Sequence, residues 1–173
     1  MSYPDDRAAV TAFLDHRDEA AFDVLYHRHT PRLWGLALRL TGGDEAEAAE
    51  VVQEAWLRAV PRLAEFRWES TLGTWLGAFV VNRWRTHRRR QGREVAWDPE
   101  AVASLAGSVE TPGSGLDVRR ALDALPTGYR TVLVLFGIYG YSHDEIAALL
   151  GIAPGTSKSQ LSRARAALRR SLA

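Results

Sequence analysis

The sequence lacks several features that would place it in large classes of proteins. None of its 173 residues is cysteine, which excludes disulfide bonds and thiolate metal sites. No segment is apolar over the length needed to span a bilayer, and the first residues have neither the basic start nor the apolar run of a signal peptide. We therefore expect a cytoplasmic protein with no membrane insertion, no metal and no cofactor.

The usual signatures of catalysis are also missing. The sequence contains no phosphate-binding loop, no nucleophile elbow and no paired histidine and carboxylate motif. His143 and Asp144 are adjacent, but we interpret them as part of the start of a helix. These absences predict that the protein is not an enzyme.

Acidic residues are absent from the carboxyl-terminal end, since no Asp or Glu follows Glu145. The formal net charge of the whole chain is only +1, but the charge is unevenly distributed. Acids outnumber bases up to Phe66, whereas seven arginines face one glutamate between Arg67 and Arg93. This uneven distribution of charge along the chain indicates an acidic surface that faces a protein and separate basic surfaces that face nucleic acid.

The stretch from Tyr141 to Arg170 predicts two helices joined by a tight turn. Ser142 and Glu145 form the pattern of a capping box at the start of the first helix. Gly151 is placed to end that helix in the left-handed conformation. A proline opens the second helix, with Thr156 as the expected N-cap. The arrangement is typical of a helix-turn-helix.

The second of these helices has one apolar side. Leu161, Ala164 and Leu168 recur at three- and four-residue steps. The other faces carry Lys, Arg and Ser. Cationic side chains can neutralise phosphates or bond to guanine, and small serines allow close approach of the backbone. The pattern favours insertion into the major groove of duplex DNA.

Apolar residues recur at helical spacing through most of the chain. The first half contains four such segments, which start near Asp6, Asp18, Asp44 and Thr71. Pro31 lies within the second segment and is expected to kink or restart that helix.

Periodicity fades over residues 92–115, where proline, glycine and serine accumulate. We interpret this stretch as a flexible linker between two small helical domains, residues 1–91 and 116–173. The second domain would contain an apolar helix that starts with Thr127 as its cap, followed by the helix-turn-helix. The predicted fold class is therefore all-α.

The segment from residue 66 to residue 93 mixes aromatic residues with arginines. Exposed rings can stack on unpaired bases while the cations follow the backbone of a single strand. Trp75 has the spacing of a core residue, whereas Trp68 lies in a polar loop. Trp68 is therefore the stronger candidate for contact with a base.

Taken together, these segments resemble bacterial RNA polymerase sigma factors of the extracytoplasmic-function group. The sequence EVVQEAWLRAV followed by FRWESTLGTWLGAFVVNRWRTHRRR is similar to region two of that family. The sequence LDALPTGYRTVLVLFGIYGYSHDEIAALLGIAPGTSKSQLSRARAALR is similar to region four. The resemblance covers nearly the whole chain outside the linker. It implies a factor that binds core RNA polymerase, recognises promoter DNA, helps to open the duplex and is restrained by an anti-sigma protein.

The resemblance also implies three sets of contact residues. Region four would read the minus-thirty-five element as a duplex, and its apolar helix 132–138 would meet the polymerase flap. Region two would hold the minus-ten element as a single strand with one base flipped into a pocket, while its acidic helix docks on the polymerase clamp. The implied minus-thirty-five contacts are Thr156, Lys158, Ser159, Gln160, Ser162, Arg163 and Arg165; the minus-ten contacts are Arg67, Trp68, Glu69, Ser70, Thr71, Asn82, Arg83, Arg85 and Arg88; the polymerase contacts are Glu50, Gln53, Glu54 and Leu57.

Two departures from the family pattern affect these expectations. The family's GTVKSRL is GTSKSQL here, with Gln160 in place of an arginine. Because glutamine can pair with adenine, we expect a changed promoter preference. Before VVQEA, the family's Glu-Asp pair is replaced by Ala49 and Glu50, so one carboxylate of the clamp-facing helix is moved or lost.

Two other functions are compatible with parts of the sequence. An ordinary helix-turn-helix regulator would use the second domain on duplex DNA, but it would not need the acidic helix and the aromatic-arginine segment. A sigma-like mimic that only sequesters an anti-sigma protein would not need its basic readers, yet they are present.

Overall fold

The computed structural model describes residues 3–95 and 120–171. All regular structure within these ranges is helical, as the sequence predicted. The elements are α1 (Asp6–His16), α2 (Glu19–Thr41), α3 (Glu45–Ala59), a 3-10 helix (Val60–Glu65), α4 (Leu72–Arg90), α5 (Thr127–Gly137), α6 (His143–Leu150) and α7 (Pro154–Ser171). Residues 120–123 are also helical.

Side chains cap the amino termini of most of these helices. Each cap accepts a hydrogen bond from an amide of the first turn, which would otherwise have no partner inside the helix. The caps are Asp5 for α1, Asp18 for α2, Asp44 for α3, Thr71 for α4 and Ser142 for α6. The start of every one of these helices is therefore encoded locally.

The two threonine caps predicted in the second domain are wrong. Helix α5 begins at Thr127 itself and has no side-chain cap, because Pro126 occupies the N-cap position. Helix α7 begins at Pro154, so Thr156 lies inside its first turn. Proline suits a first helical position because its φ is already helical and it has no amide hydrogen to leave unpaired. Helix α2 runs through Pro31 without restarting, so of the two predicted effects of this proline only a kink stays a prediction.

In the segment predicted to form the first domain, α2, α3 and α4 pack against one another. Leu36, Val51, Val80 and Trp84 are fully buried at the centre of this bundle. Trp84 therefore stabilises the core and presents no ring to nucleic acid. Helix α1 covers one side of the bundle through contacts with α2.

The second domain packs α5 and α6 against α7. Val134, Ile146 and Leu161 are buried between these helices. Helix α6 has the complete capping box of Ser142 and Glu145, with reciprocal side-chain bonds to the two backbone amides. It ends at Gly151, whose φ of 68° lies in the left-handed region that glycine adopts most readily. The predicted helix-turn-helix is confirmed in these details.

The two domains contact each other directly. The Tyr141 hydroxyl donates a hydrogen bond to the Thr74 carbonyl on α4 at 2.7 Å, and the Tyr139 hydroxyl donates to the Arg32 carbonyl on α2 at 3.1 Å. The Arg32 guanidinium lies 4.9 Å from the centre of the Tyr139 ring. Buried residues of both domains belong to one continuous apolar cluster. The predicted linker over residues 92–115 falls mostly outside the described residues.

Candidate nucleic-acid interface

Helix α7 presents an exposed basic face. Lys158, Ser162, Arg163 and Arg165 are exposed, while Leu161 on the opposite side is buried. Within the described residues, none of these three cations takes part in an ion pair of 4.0 Å or less, although Arg165 lies 5.7 Å from the centre of the Phe136 ring. Their charge is therefore available to an anionic partner such as a DNA phosphate.

Contacts between α6 and α7 fix the angle at which this face is presented. The His143 ring nitrogen Nδ1 lies 2.9 Å from the Ser157 hydroxyl across the turn. The His143 ring also stacks on Phe136 of α5, with ring centroids 4.5 Å apart. Ser157 is fully buried. The serine that replaces the family's apolar residue is thus part of the packing of the helix-turn-helix.

Gln160 differs from the other predicted DNA contacts. Its side chain is 0% exposed, so it is not part of the exposed basic face. Its pairing with adenine stays a prediction, and it requires the side chain to leave this buried position. Ser159 is half-buried and its hydroxyl donates to the Thr156 carbonyl at 2.9 Å, so both residues lie at the margin of the basic face.

The loop before α4 presents the polar groups predicted for the minus-ten element. Its residues Arg67, Glu69, Ser70 and Thr71 are exposed, and Thr71 also caps α4. Trp68 has a φ of 61°, which a residue with a large side chain rarely adopts. Backbone strain of this kind costs about 1–3 kcal/mol and is found often at binding and active sites.

The Trp68 ring has two close neighbours. Its centroid lies 4.7 Å from that of Phe66, and the Arg7 guanidinium of α1 lies 4.9 Å from it. Arg7 was not predicted as a contact residue, because nothing in the spacing of α1 indicates that it approaches this loop. An unpaired base that stacks on Trp68 would meet these two neighbours.

Helix α4 carries the remaining predicted minus-ten residues, which have different surroundings. Asn82 is exposed. The Arg85 guanidinium donates to the Leu149 carbonyl at the end of α6, and Arg88 donates to the Arg93 carbonyl at 3.0 Å. Burial lowers the pKa of both guanidinium groups. A cavity of about 460 Å³ lies beside them, lined also by Arg89, Glu94 and Gly151.

Helix α3 presents the predicted polymerase contacts. Glu50 and Gln53 are exposed, and Leu57 is 67% exposed, which is unusual for a large apolar side chain. Glu54 differs, because it forms an ion pair with Arg83 of α4 at 2.7 Å. Glu54, which was predicted to contact polymerase, thus binds Arg83, which was predicted to contact the minus-ten element.

His87 completes this contact and was missed from the sequence. Its Nε2 atom lies 3.2 Å from a Glu54 carboxylate oxygen, and its Nδ1 atom is 4.0 Å from Glu50. Arg83 and His87 are four residues apart on α4, as are Glu50 and Glu54 on α3. These two complementary spacings are the signal that could have predicted the contact.

Two negative findings apply to residues 3–95 and 120–171. No helix there is long and apolar enough to cross a membrane. No group of three or more His, Cys, Asp or Glu side chains is arranged to hold a metal ion.

Comparison with known proteins agrees with this architecture. Residues 25–94 match the family model for sigma-70 region 2, and residues 115–168 match the model for sigma-70 region 4. A similar relative is the ECF RNA polymerase sigma factor SigM of Mycobacterium tuberculosis, 36% identical over 155 residues, which covers 90% of this chain and 79% of the relative.

Two solved structures have a similar fold. The sigma factor RpoE of Bartonella quintana, bound to the anti-sigma factor NepR, has a TM-score of 0.63 and 30% identity, covering 86% of this chain and 94% of the other. CnrH in complex with the cytosolic domain of CnrY has a TM-score of 0.61 and 28% identity, covering 95% of both chains.

The helical fold and the two family matches, in this order, define a sigma-70 type of protein. The chain belongs to the extracytoplasmic-function group of RNA polymerase sigma factors. It is a promoter-recognising sigma factor, and its partners are core RNA polymerase and promoter DNA.

Proposed function

We propose that this sigma factor reads the minus-thirty-five element with the basic face of α7. The observation that carries the proposal is the exposed set of Lys158, Ser162, Arg163 and Arg165, whose cations have no ion-pair partner among the described residues. Lysine and arginine on one helix face supply phosphate neutralisation and guanine recognition together.

The minus-ten element is bound by the loop of residues 67–71 and the exposed side of α4. Flipping one base out of the duplex costs a few kcal/mol, which polar loop groups and nearby arginines can offset without nucleotide hydrolysis. The strained backbone of Trp68 and the exposure of its neighbours support a role in this step. Asn82 contributes from the middle of α4, where its side chain is exposed.

Core polymerase docks on the exposed side of α3. Leu57 supplies an apolar contact, because its side chain is exposed to water in the free protein and would be buried by the polymerase. Glu50 and Gln53 supply polar contacts around it. An apolar centre with a polar rim is the usual composition of a protein interface. We further propose an anti-sigma partner and a cytoplasmic location, because one structural neighbour was solved with the anti-sigma factor NepR and the other with the cytosolic domain of CnrY.

Footprinting of the assembled holoenzyme on a promoter that it transcribes tests this assignment. Wild-type protein should protect two separate DNA segments upstream of the start site. The double variant K158A/R165A should lose the upstream protection and retain binding to core polymerase. Loss of both footprints together, with core binding intact, would contradict the division of DNA recognition between the two domains.

The two alternative functions receive less support. A plain regulator has no use for a 67% exposed leucine on an acidic helix of the other domain. A mimic that only sequesters another protein has no use for the unpaired cations of α7. Stable binding to core polymerase with no promoter recognition would favour the mimic.

A further inference from the structure

Helices α3 and α4 are joined by a compact cluster of charged side chains. The Arg83 Nη2 atom lies 2.7 Å from one oxygen of the Glu54 carboxylate, and the His87 Nε2 atom lies 3.2 Å from the other. Each carboxylate oxygen therefore has its own partner, which fixes the plane and the direction of the carboxylate group. An arrangement with two partners restricts a side chain far more than a single ion pair does.

The α4 side of this cluster is withdrawn from solvent. The Arg83 side chain is 13% exposed and that of His87 is 10% exposed, whereas the Glu54 side chain is 37% exposed. The carboxylate thus faces outward on the same helix as Leu57, and the two α4 residues lie behind it. A phosphate that approached Arg83 would have to displace Glu54.

The electrostatics favour the paired state. Burial by itself would raise the pKa of Glu54, but the hydrogen bond from His87 and the positive charge of Arg83 outweigh it and hold that pKa below its usual value. The carboxylate therefore remains ionised at neutral pH, ready to accept hydrogen bonds from a partner on its exposed side.

We propose that Arg83 and His87 are positioning residues that orient Glu54 for polymerase docking, and that Arg83 is not a contact for the minus-ten strand. The inference rests on the proposed docking role of α3 and changes the role of one residue that the family resemblance assigned to DNA. It also links the two functions of the first domain, because α4 begins at the minus-ten loop and ends behind the docking helix.

A double-mutant cycle on Arg83 and Glu54 tests the proposal with the full-length chain. Affinity for purified core polymerase would be measured for the wild type, R83Q, E54Q and R83Q/E54Q. If Arg83 acts through Glu54, each single variant should bind core roughly three- to tenfold more weakly, within the range expected for charge-assisted contacts. The double variant should then be no weaker than the single variants. R83K should recover part of the loss because it restores the charge.

A second readout separates positioning from DNA contact. Holoenzyme assembled at saturating core would be tested for binding to a single-stranded minus-ten oligonucleotide. R83Q should bind it as the wild type does, and so should R62Q, a charge-matched control on the exposed 3-10 helix outside the loop and α4. Weakened oligonucleotide binding with unchanged core affinity would overturn the proposal, as would additive losses in the cycle.

Separate controls test whether the variants fold and whether α3 docks on core polymerase. If thermal melting shows that R83Q is unfolded, the cycle is completed with H87Q in its place, and the same criteria decide. If the wild-type chain itself fails to bind core polymerase, the docking role of α3 fails. If the wild type binds core but the variants do not follow the expected pattern of affinities, only the positioning role of Arg83 and His87 is rejected.

Discussion

Single side chains on α7 divide into those that meet solvent and those that meet the core. Arg163 is exposed, whereas Gln160, three residues earlier, is fully buried. The sequence analysis predicted both residues as DNA contacts. Only the packing of α7 distinguishes them, because the two positions lie about 60° apart around the helix axis.

Replacement of Arg163 tests the assignment of the basic face. R163A should cost about 1–3 kcal/mol of discrimination between the preferred base and its substitutes, if Arg163 makes a bidentate contact with guanine. Q160A should not change base preference if Gln160 keeps its buried position in the complex. Competition binding of the holoenzyme to promoter fragments with single base changes measures both. Equal weakening of R163A on every sequence would reduce Arg163 to a phosphate contact.

Trp68 illustrates a different limit of sequence reasoning. The sequence placed it in a polar loop, but it could not predict its left-handed φ of 61° or the Arg7 side chain over its ring. Both depend on how α1 packs beside the loop, and no local pattern encodes that contact.

The variant W68A tests the role of this ring in opening. It should leave affinity for a duplex minus-thirty-five fragment unchanged, because that element is read by α7. It should reduce the permanganate reactivity of promoter thymines, which reports unpaired bases in the open complex. Unchanged thymine reactivity would exclude Trp68 from strand capture.

At the scale of elements, local signals accounted for the helix-turn-helix. Two features could be predicted from the sequence, the capping box of Ser142 and Glu145 and the terminating glycine at position 151. Each of them satisfies backbone groups within four residues. The predicted threonine caps of α5 and α7 failed for an equally local reason. A proline before or at each helix start replaced the capping side chain.

Removal of the Ser142 cap should lower stability by a predictable amount. S142A loses the hydrogen bond from the Glu145 amide to the Ser142 hydroxyl and should reduce the free energy of unfolding by about 0.5–2 kcal/mol. S162A removes a hydroxyl from the exposed face of α7 and serves as the control, with no expected change. Urea unfolding followed by circular dichroism measures both variants. Equal stability of S142A and the wild type would contradict the capping role.

At the scale of the whole molecule, the contact between the two domains was not predictable. The sequence predicted a linker but gave no sign that Tyr139 and Tyr141 would reach α2 and α4. Tyrosines are common both in cores and at interfaces, so their presence does not indicate a partner. The contact bears on DNA binding, because one nitrogen of the Arg85 guanidinium donates to the Leu149 carbonyl of the second domain and is therefore occupied while this contact is present.

Gly77 provides a direct probe of this contact. A Cβ at position 77 would clash with the Tyr141 hydroxyl, so G77A should break the hydrogen bond to Thr74 and loosen the packing of the two domains. Small-angle scattering should then give a larger radius of gyration than for the wild type. G155A is the control, because a Cβ there has no neighbour within 4 Å, and it should keep the wild-type radius. An unchanged radius for G77A would contradict the importance of this contact.

The central claim is that the chain directs core RNA polymerase to promoters through both of its domains. Run-off transcription with purified core polymerase over a library of promoter fragments, with and without the protein, tests it most directly. Transcripts should start at defined sites only when the protein is present, and the active fragments should share two sequence elements at a fixed spacing. The absence of both specific transcripts and binding to core polymerase would contradict the claim.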